Sequence, residues 1–523
     1  MTKGSRSRNG CSNCRRRKRR CDEGKPVCST CARTGAECVY PAAQSASTAL
    51  KFVIAASHPH YTVPIVGKSR FLHMTLREIE TCEQKFRDDD SDPAHHQPDK
   101  LCGKRQTSPN DHLPQALSLF KLSPISASST AVEIPLIQYY AEVISTSRVY
   151  IQTSRNPFSF SVVPRVISSH GPLRCMVLAL SAAEWSQRFE TNASYYRSLS
   201  MNYKIRALRE LQQRFDIAEQ SEENLLTCLL MTTLEIAEGS QPAWLKHLQG
   251  AFALLETFYA SIDPGVSKFV ITYFRFRYIM MKTTEPKVLA GLHNGDSSDL
   301  CHDRIIGFLT ETDATSPFFR ASDNAVDELI GCSTEIVHII NEITALSVAM
   351  SRETTTDSRI RLHAEGQLFE RRIKAMSGQT LDHVNDYLLK SAEAFRIAAQ
   401  IYLRLVCYNM SIADPSILQL HKNLCGCLQT VIVQGSPRRS FPMWPLFIAG
   451  CTSAYDTQRK TIIDLFEVVN SQWPISNIAA VWTAVKTVWH SRDLELCTPA
   501  TSSCKQQDWQ DVIHRFGWKL ALS

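Results

Sequence analysis

Apolar residues recur at three- and four-residue spacing through most of the chain from about Ala131 onward. The stretches AVEIPLIQYYAEVI, GPLRCMVLALSAAEW, SMNYKIRALRELQQRF, ENLLTCLLMTTLEIA and AWLKHLQGAFALLETF each place an apolar stripe along one side of a helix. DELIGCSTEIVHIINEITALSV, NDYLLKSAEAFRIAAQIYLRLV and KTIIDLFEVVNSQW continue the pattern. Helix breakers and caps such as Asn156-Pro157, Gly171-Pro172 and Gln241-Pro242 punctuate it. No β-branched alternation is long enough to predict a sheet, and no fixed period predicts a regular solenoid. The expectation is a large, irregular all-α domain over 131–523.

Between 41 and 130 the periodicity is lost. AAQSAST, the acidic DDDSD at 88–92, HHQPDK and a Ser/Pro-rich stretch read as a largely disordered linker. Within it, FLHMTLREIETCEQKF sets Leu72, Leu76, Ile79 and Phe86 on one helical face. A short helix at 71–86 is therefore expected, either docking on the main domain or pairing with a second copy.

At 523 residues the chain is long enough for several domains, and its 44% hydrophobic and 21% charged residues are ordinary for a globular protein. No stretch of roughly 18 apolar residues predicts a membrane span. The start, MTKGSRSRNG, has no apolar core behind it and does not read as a secretory signal, so a reducing compartment is expected. Charge is uneven: residues 1–40 hold eleven Lys or Arg against three Asp or Glu, a balance of +8, whereas the whole chain is +7. All the excess basicity sits at one end, which points to a polyanionic partner there.

Cysteine is equally uneven. Six of the 18 fall between positions 11 and 38, in CSNCRRRKRRCDEGKPVCSTCARTGAEC. The rest are scattered through apolar helical text, as at Cys175, Cys228 and Cys451, and read as small buried hydrophobes with free thiols. The cluster is spaced C-x2-C-x6-C-x6-C-x2-C-x6-C, two copies of one half-motif joined by a loop containing Pro26. A structural zinc takes four ligands. One zinc would leave two of the six sulfurs spare, whereas two zincs need eight ligand positions, which six sulfurs fill if two cysteines bridge both metals. Cys11 and Cys28, the first of each half, hold the pseudo-symmetric places for bridging, with Cys14, Cys21, Cys31 and Cys38 terminal. A disulfide framework conflicts with a reducing compartment. A single four-cysteine finger leaves Cys21 and Cys38 without a role. So short a segment cannot bury a core, and metal binding must supply its folding free energy.

Arg15–Arg20 is an unbroken run of six basic residues between the second and third cysteines. Free in solution, such a block is a solvated, self-repelling charge run or a nuclear-import signal. Pinned between zinc ligands, it becomes a fixed fan of cations, some able to reach phosphates and some base edges. The spacing, the basic run and the proline between halves resemble the fungal Zn2Cys6 binuclear-cluster DNA-binding domain. In that family a lysine three positions before the third cysteine reads a CGG triplet. The resemblance therefore assigns base reading to Lys18 and mainly phosphate contact to Arg15, Arg16, Arg17, Arg19 and Arg20. It implies two Zn2+ ions, double-stranded DNA as partner, and a nuclear location. Ser12 and Asn13 are further contributors.

The helical region is similar to the fungal-specific transcription-factor domain in RNPFSFSVVPRVISSHGPLRCMVLALSAAEW, WLKHLQGAFALLE, FPMWPLFIAG, VWTAVKTVWHSRD and DWQDVIHRFGW. The resemblance implies regulation there, with the transcription machinery and a small-molecule effector as partners. No GxGxxG, GxxxxGK[ST], HExxH or GxSxG marks an enzyme. His247 reads as a satisfied core or interface histidine, and Trp444, Trp482 and Trp489 as core anchors. Family dimers set half-site spacing with a coiled coil just after the cluster, but VYPAAQSASTALKFVIAASHPHY after Cys38 has no heptads. A monomer on one triplet, a dimer through the helical domain and a dimer through 71–86 all remain open. The competing class is a chromatin- or RNA-binding scaffold without sequence preference.

Overall fold

The computed structural model describes residues 13–14, 17, 21–22, 27–35, 38, 130–189, 192–216, 221–239, 243–258, 261–285, 325–353, 355–376, 386–434, 439–472, 476–496 and 508–522. The expected linker at 41–130, apart from its last residue, and the helix at 71–86 lie outside them. The chain divides into two compact units, Met1–Pro98 and Asp99–Ser523. In the first, α1 spans Ser29–Thr34 and ends at Gly35, whose φ of 60° is the left-handed conformation that closes a helix.

The second unit opens with α2 (Thr130–Tyr139), which passes through a π-helical turn at Tyr140–Ile144. Another π turn, Phe158–Val162, leads into α3 (Val163–Ser168). Four longer helices follow: α4 (Pro172–Arg188), α5 (Ala193–Asp216), α6 (Glu222–Ala237) and α7 (Ala243–Phe258). These pack around one core that includes Phe158, Met176, Leu229, Trp244 and Phe252. After α8 (Pro264–Lys282) come α9 (Thr334–Arg352), α10 (Thr356–Ala375), α11 (Asp386–Val406) and α12 (Pro415–Val433). The last four are α13 (Met443–Cys451), α14 (Asp456–Gln472), α15 (Ser476–Leu496) and α16 (Asp508–Phe516). They enclose a second core that includes Ile340, Phe395, Trp444, Phe447 and Val485.

Polar residues fix where several of the helices begin. Ser221 accepts from Asn224 N at 3.3 Å to start α6, and Asp263 accepts from Gly265 N and Val266 N at 2.9 and 3.0 Å to start α8. Asp414 accepts from Ser416 N at 2.8 Å ahead of Pro415, which sits where a missing N–H costs nothing.

Helix α8 is shared between the cores. Phe269, Phe274 and Tyr278 enter the first, while Phe276, Ile279 and Met280 enter the second. Being apolar nearly all round, it is a central wall between two halves. The C-terminal tail repeats this role. Gly517, at φ 64°, closes α16, with Trp518 N donating to Ile513 O at 3.3 Å. Leu520 and Leu522 then join the second core and Ala521 the first. Trp244 Nε1 donates to Lys519 O at 2.8 Å, and Asn477 Nδ2 to Ala521 O at 3.0 Å.

One predicted helix is shorter than its periodicity. DELIGC is not helical: residues 325–333 form a turn closed by the bridge Val326–Ser333, the one β feature among the described residues. Asp327 Oδ1 accepts from Leu329 N at 2.8 Å, Gly331 adopts φ 72°, and Ser333 caps α9 by accepting from Ile336 N at 3.3 Å. The apolar spacing was right, but local Asp and Ser side chains captured the backbone before the helix could. Trp444 and Trp489 are buried as expected, and each indole N–H has a partner: Thr283 Oγ1 at 3.0 Å and Gly450 O at 2.8 Å. Trp482 is half-buried, stacked on Phe466. No single described helix is long and apolar enough to cross a membrane.

Candidate metal centre and nucleic-acid interface

Cys14, Cys21, Cys28 and Cys31 are buried together, and Cys38 packs against them; among the described residues of this unit they form the one hydrophobic cluster. The Sγ atoms of Cys14, Cys28 and Cys31 lie within 4.8 Å of one another. Cys21 Sγ, Cys28 Sγ and a carboxylate oxygen of Asp22 form a second such group. The Cys14–Cys28 sulfur separation is 3.7 Å. A tetrahedral zinc with bonds of about 2.3 Å spaces its sulfurs by about 3.8 Å, whereas a disulfide needs about 2 Å. No disulfide joins any of the described cysteines. The donor set therefore fits zinc. Cys28 is common to both groups, and Cys21, which a single four-cysteine finger would strand, is drawn into the second.

Backbone and side-chain donors steady the sulfurs. Cys31 N donates to Cys28 Sγ at 3.4 Å, Cys28 N to Cys38 Sγ at 3.3 Å, and Asn13 Nδ2 to Cys31 Sγ at 3.4 Å. The Cys31 N–H holds the Cys28 thiol below the ordinary thiol range, against the opposing effect of burial. The scattered cysteines behave oppositely. Burial pushes Cys175 up to about 11 and Cys228 and Cys425 up to about 12, so those thiols stay protonated and inert.

Two contributors escaped the sequence reading or were left open by it. Asp22 accepts from Ser29 N at 3.1 and 3.2 Å and so fastens the start of α1 to the third cysteine. Asn13 was only a further contributor from sequence. The signal for it lies in the 17-residue offset that maps Cys14 onto Cys31: Asn13, Cys14 and Arg17 face Thr30, Cys31 and Thr34 across an open crevice. Arg17 N donates to Asn13 O at 3.0 Å, and Arg17 is exposed. Cys11, Lys18, Arg15, Arg16, Arg19 and Arg20 lie outside the described residues.

In the helical unit, His247 Nε2 lies 3.6 Å from Glu235, whose carboxylate also pairs with Lys204 at 2.8 Å. Burial alone would raise the Glu235 carboxyl, but Lys204 and His247 hold it well below the usual carboxylate range. This is the satisfied histidine that its apolar helix face predicted.

A buried thiolate frame carrying a basic turn, ahead of a two-core helical domain, defines a zinc-cluster DNA-binding regulator of transcription. Residues 9–47 match the fungal Zn(2)-Cys(6) binuclear cluster domain and residues 135–523 match the fungal specific transcription factor domain. The chain belongs to this family of fungal transcription factors, and its cluster domain binds two zinc ions. An uncharacterized transcriptional regulatory protein of Schizosaccharomyces pombe is 20% identical over 98% of this chain and 96% of its own length. Two Saccharomyces cerevisiae proteins match a short stretch only. The lysine biosynthesis regulatory protein is 62% identical over 34 residues, covering 6% of this chain and 4% of its own. The sterol uptake control protein 2 is 53% identical over 36 residues, covering 7% and 4%.

Proposed function

We propose that this DNA-binding transcription regulator works in the nucleus on RNA polymerase II promoters, reading CGG-like half-sites in double-stranded DNA. In this reading the DNA-binding domain is 1–40, a linker follows over 41–130, and 131–523 regulates output without catalysing a reaction. Cys11, Cys14, Cys21, Cys28, Cys31 and Cys38 hold both zincs, with Cys11 and Cys28 bridging. When bound, the metal supplies the crosslink that orders the segment. The residues between the ligands do the recognition. Lys18 meets guanine edges in the major groove, and Arg15, Arg16, Arg17, Arg19 and Arg20 mainly meet phosphates. The transcription machinery and a small-molecule effector are partners of the helical unit.

The observation that carries the bridged arrangement is the place of Cys28 Sγ in two donor groups at once, one with Cys14 and Cys31 and one with Cys21. A six-thiolate frame with two Zn2+ has net charge of about −2, so it does not attract DNA by itself; the cations of the run do. Native mass spectrometry of the full chain tests the arrangement. Two zincs per chain are expected, with loss of both on Cys28→Ser; a single zinc, or a second that survives this substitution, removes the bridge.

A further inference from the structure

Helix α10 is held on one side only. Phe369 and Ile373 are buried, and Gly366 lies so close to Tyr408 that a Cβ there would sit 2.9 Å from the phenol oxygen. Arg372 bridges to Glu335 and Glu342 of α9 at 2.6 and 2.8 Å, and Glu370 pairs with Arg404 of α11 at 3.0 Å. The helix is thus a firmly seated ridge, and its opposite face is turned wholly to solvent. On that face lie Asp357, Ile360, Ala364, Leu368 and Arg371, all exposed. Ile360, 62% exposed, is the most exposed aliphatic side chain among the described residues, and Leu368 is 50% exposed.

One exposed isoleucine or leucine means little. The order of these five carries more, because it is self-complementary about its centre. Counting from Ala364, Ile360 lies four residues before and Leu368 four after; Asp357 lies seven before and Arg371 seven after. A two-fold axis through Ala364, with two copies of the helix antiparallel, sets Ile360 against the partner copy's leucine and Asp357 against its arginine. By symmetry every such contact is made twice. The small residue falls on the axis, where two backbones approach most closely. At 1.5 Å per residue the ion pairs bracket the apolar contacts about 10 Å on either side. The seven-residue spacing of 357, 364 and 371 is the one at which packed helices keep one seam facing the other.

We propose that this face is a homodimer interface whose occupant is the same face of a second copy of this chain. The charge order favours a second copy over an unrelated partner, since the acid and base are placed to satisfy each other only in the antiparallel self-pair. One helix pair over four turns is at or below the lower end of stable interfaces, about 1,000 Å², so the dimer forms as concentration rises. It supplies the pairing that the text after Cys38, without heptads, does not, and it holds whether or not Lys18 reads bases.

Sedimentation velocity of the full zinc-loaded chain over a concentration series tests this. The wild type is expected to dimerise, and Ile360→Lys with Leu368→Lys to raise the dissociation constant at least tenfold with the thermal midpoint unchanged. Asp357→Arg or Arg371→Asp alone should weaken the dimer, and the two together should restore it. Under mild oxidation Ala364→Cys should crosslink to itself faster than cysteines placed at exposed positions off this face, as a two-fold axis at that residue requires. A dimer indifferent to all these changes has another interface and overturns the proposal. So does a monomeric wild type in which deleting residues 41–129 raises hydrogen exchange over 357–371, for then the chain's own segment occupies the face.

Discussion

Lys18 and its arginine neighbours are chemically alike in charge, but the proposed function gives them different work. A phosphate contact is indifferent to sequence, whereas a contact to guanine O6 and N7 is lost when the base changes. Lys18→Ala should therefore cost about 1–3 kcal/mol on a CGG site and much less on a scrambled one, measured by fluorescence anisotropy at fixed salt. Equal losses on both sequences would make Lys18 one more phosphate contact. In the helical unit two buried histidines, His338 and His421, are both lowered by burial and so set a pH dependence of stability. Burial, with Arg275 beside it, lowers His338 to about 4, while Glu335 and Arg372 also face it. In the unfolded chain the same group titrates near 6.5. The unfolded state then binds a proton that the folded state refuses, so stability falls as pH drops from about 6.5 to about 4, by up to about 3 kcal/mol. His338→Asn should reduce the slope of the melting temperature across that window, leaving the share that buried His421 contributes with the same sign, and an unchanged slope would place its origin in other groups.

At the scale of elements, the helices were legible because their apolar stripes obey one period. AWLKHLQGAFALLETF became α7 from its first residue to its last. What was not legible was capture of the backbone by local side chains, which has no period. The turn at 325–333 is the clear case. Gly331 combines a φ of 72° with a Cβ position 2.3 Å from the ring of buried Tyr150, so neither its backbone nor its space admits a side chain. Tyr150 N in turn donates to Glu328 O at 2.8 Å, tying the first core's loop to the turn that starts the second. Gly331→Ala should destabilise the helical unit by about 3 kcal/mol, the sum of left-handed strain and overpacking, read as a lowered thermal midpoint. An unchanged midpoint would mean that the turn relaxes freely. In the metal centre, spacing alone revealed the cysteines, because chelation fixes separations along the chain. Asp22 stayed hidden because capping α1 needs only one carboxylate near one N–H, a requirement with no sequence signature of its own.

The whole molecule is two devices on one chain, a metal-pinned basic turn and a helical unit whose two cores share α8 and the C-terminal tail. Among its described residues the first has no apolar cluster beyond its thiols, so ligation is what would hold its shape. The second buries two large apolar cores, in which burial holds the Cys228 and Cys425 thiols protonated. The central claim is that the cysteine frame turns six basic residues into a reader of sequence. Selection of binding sites by the full zinc-loaded chain from a randomised duplex pool tests it most directly. Enrichment of a CGG triplet, abolished by chelation, is the predicted result. Retention of nucleic acid with no enriched motif would contradict it and leave a sequence-indifferent scaffold.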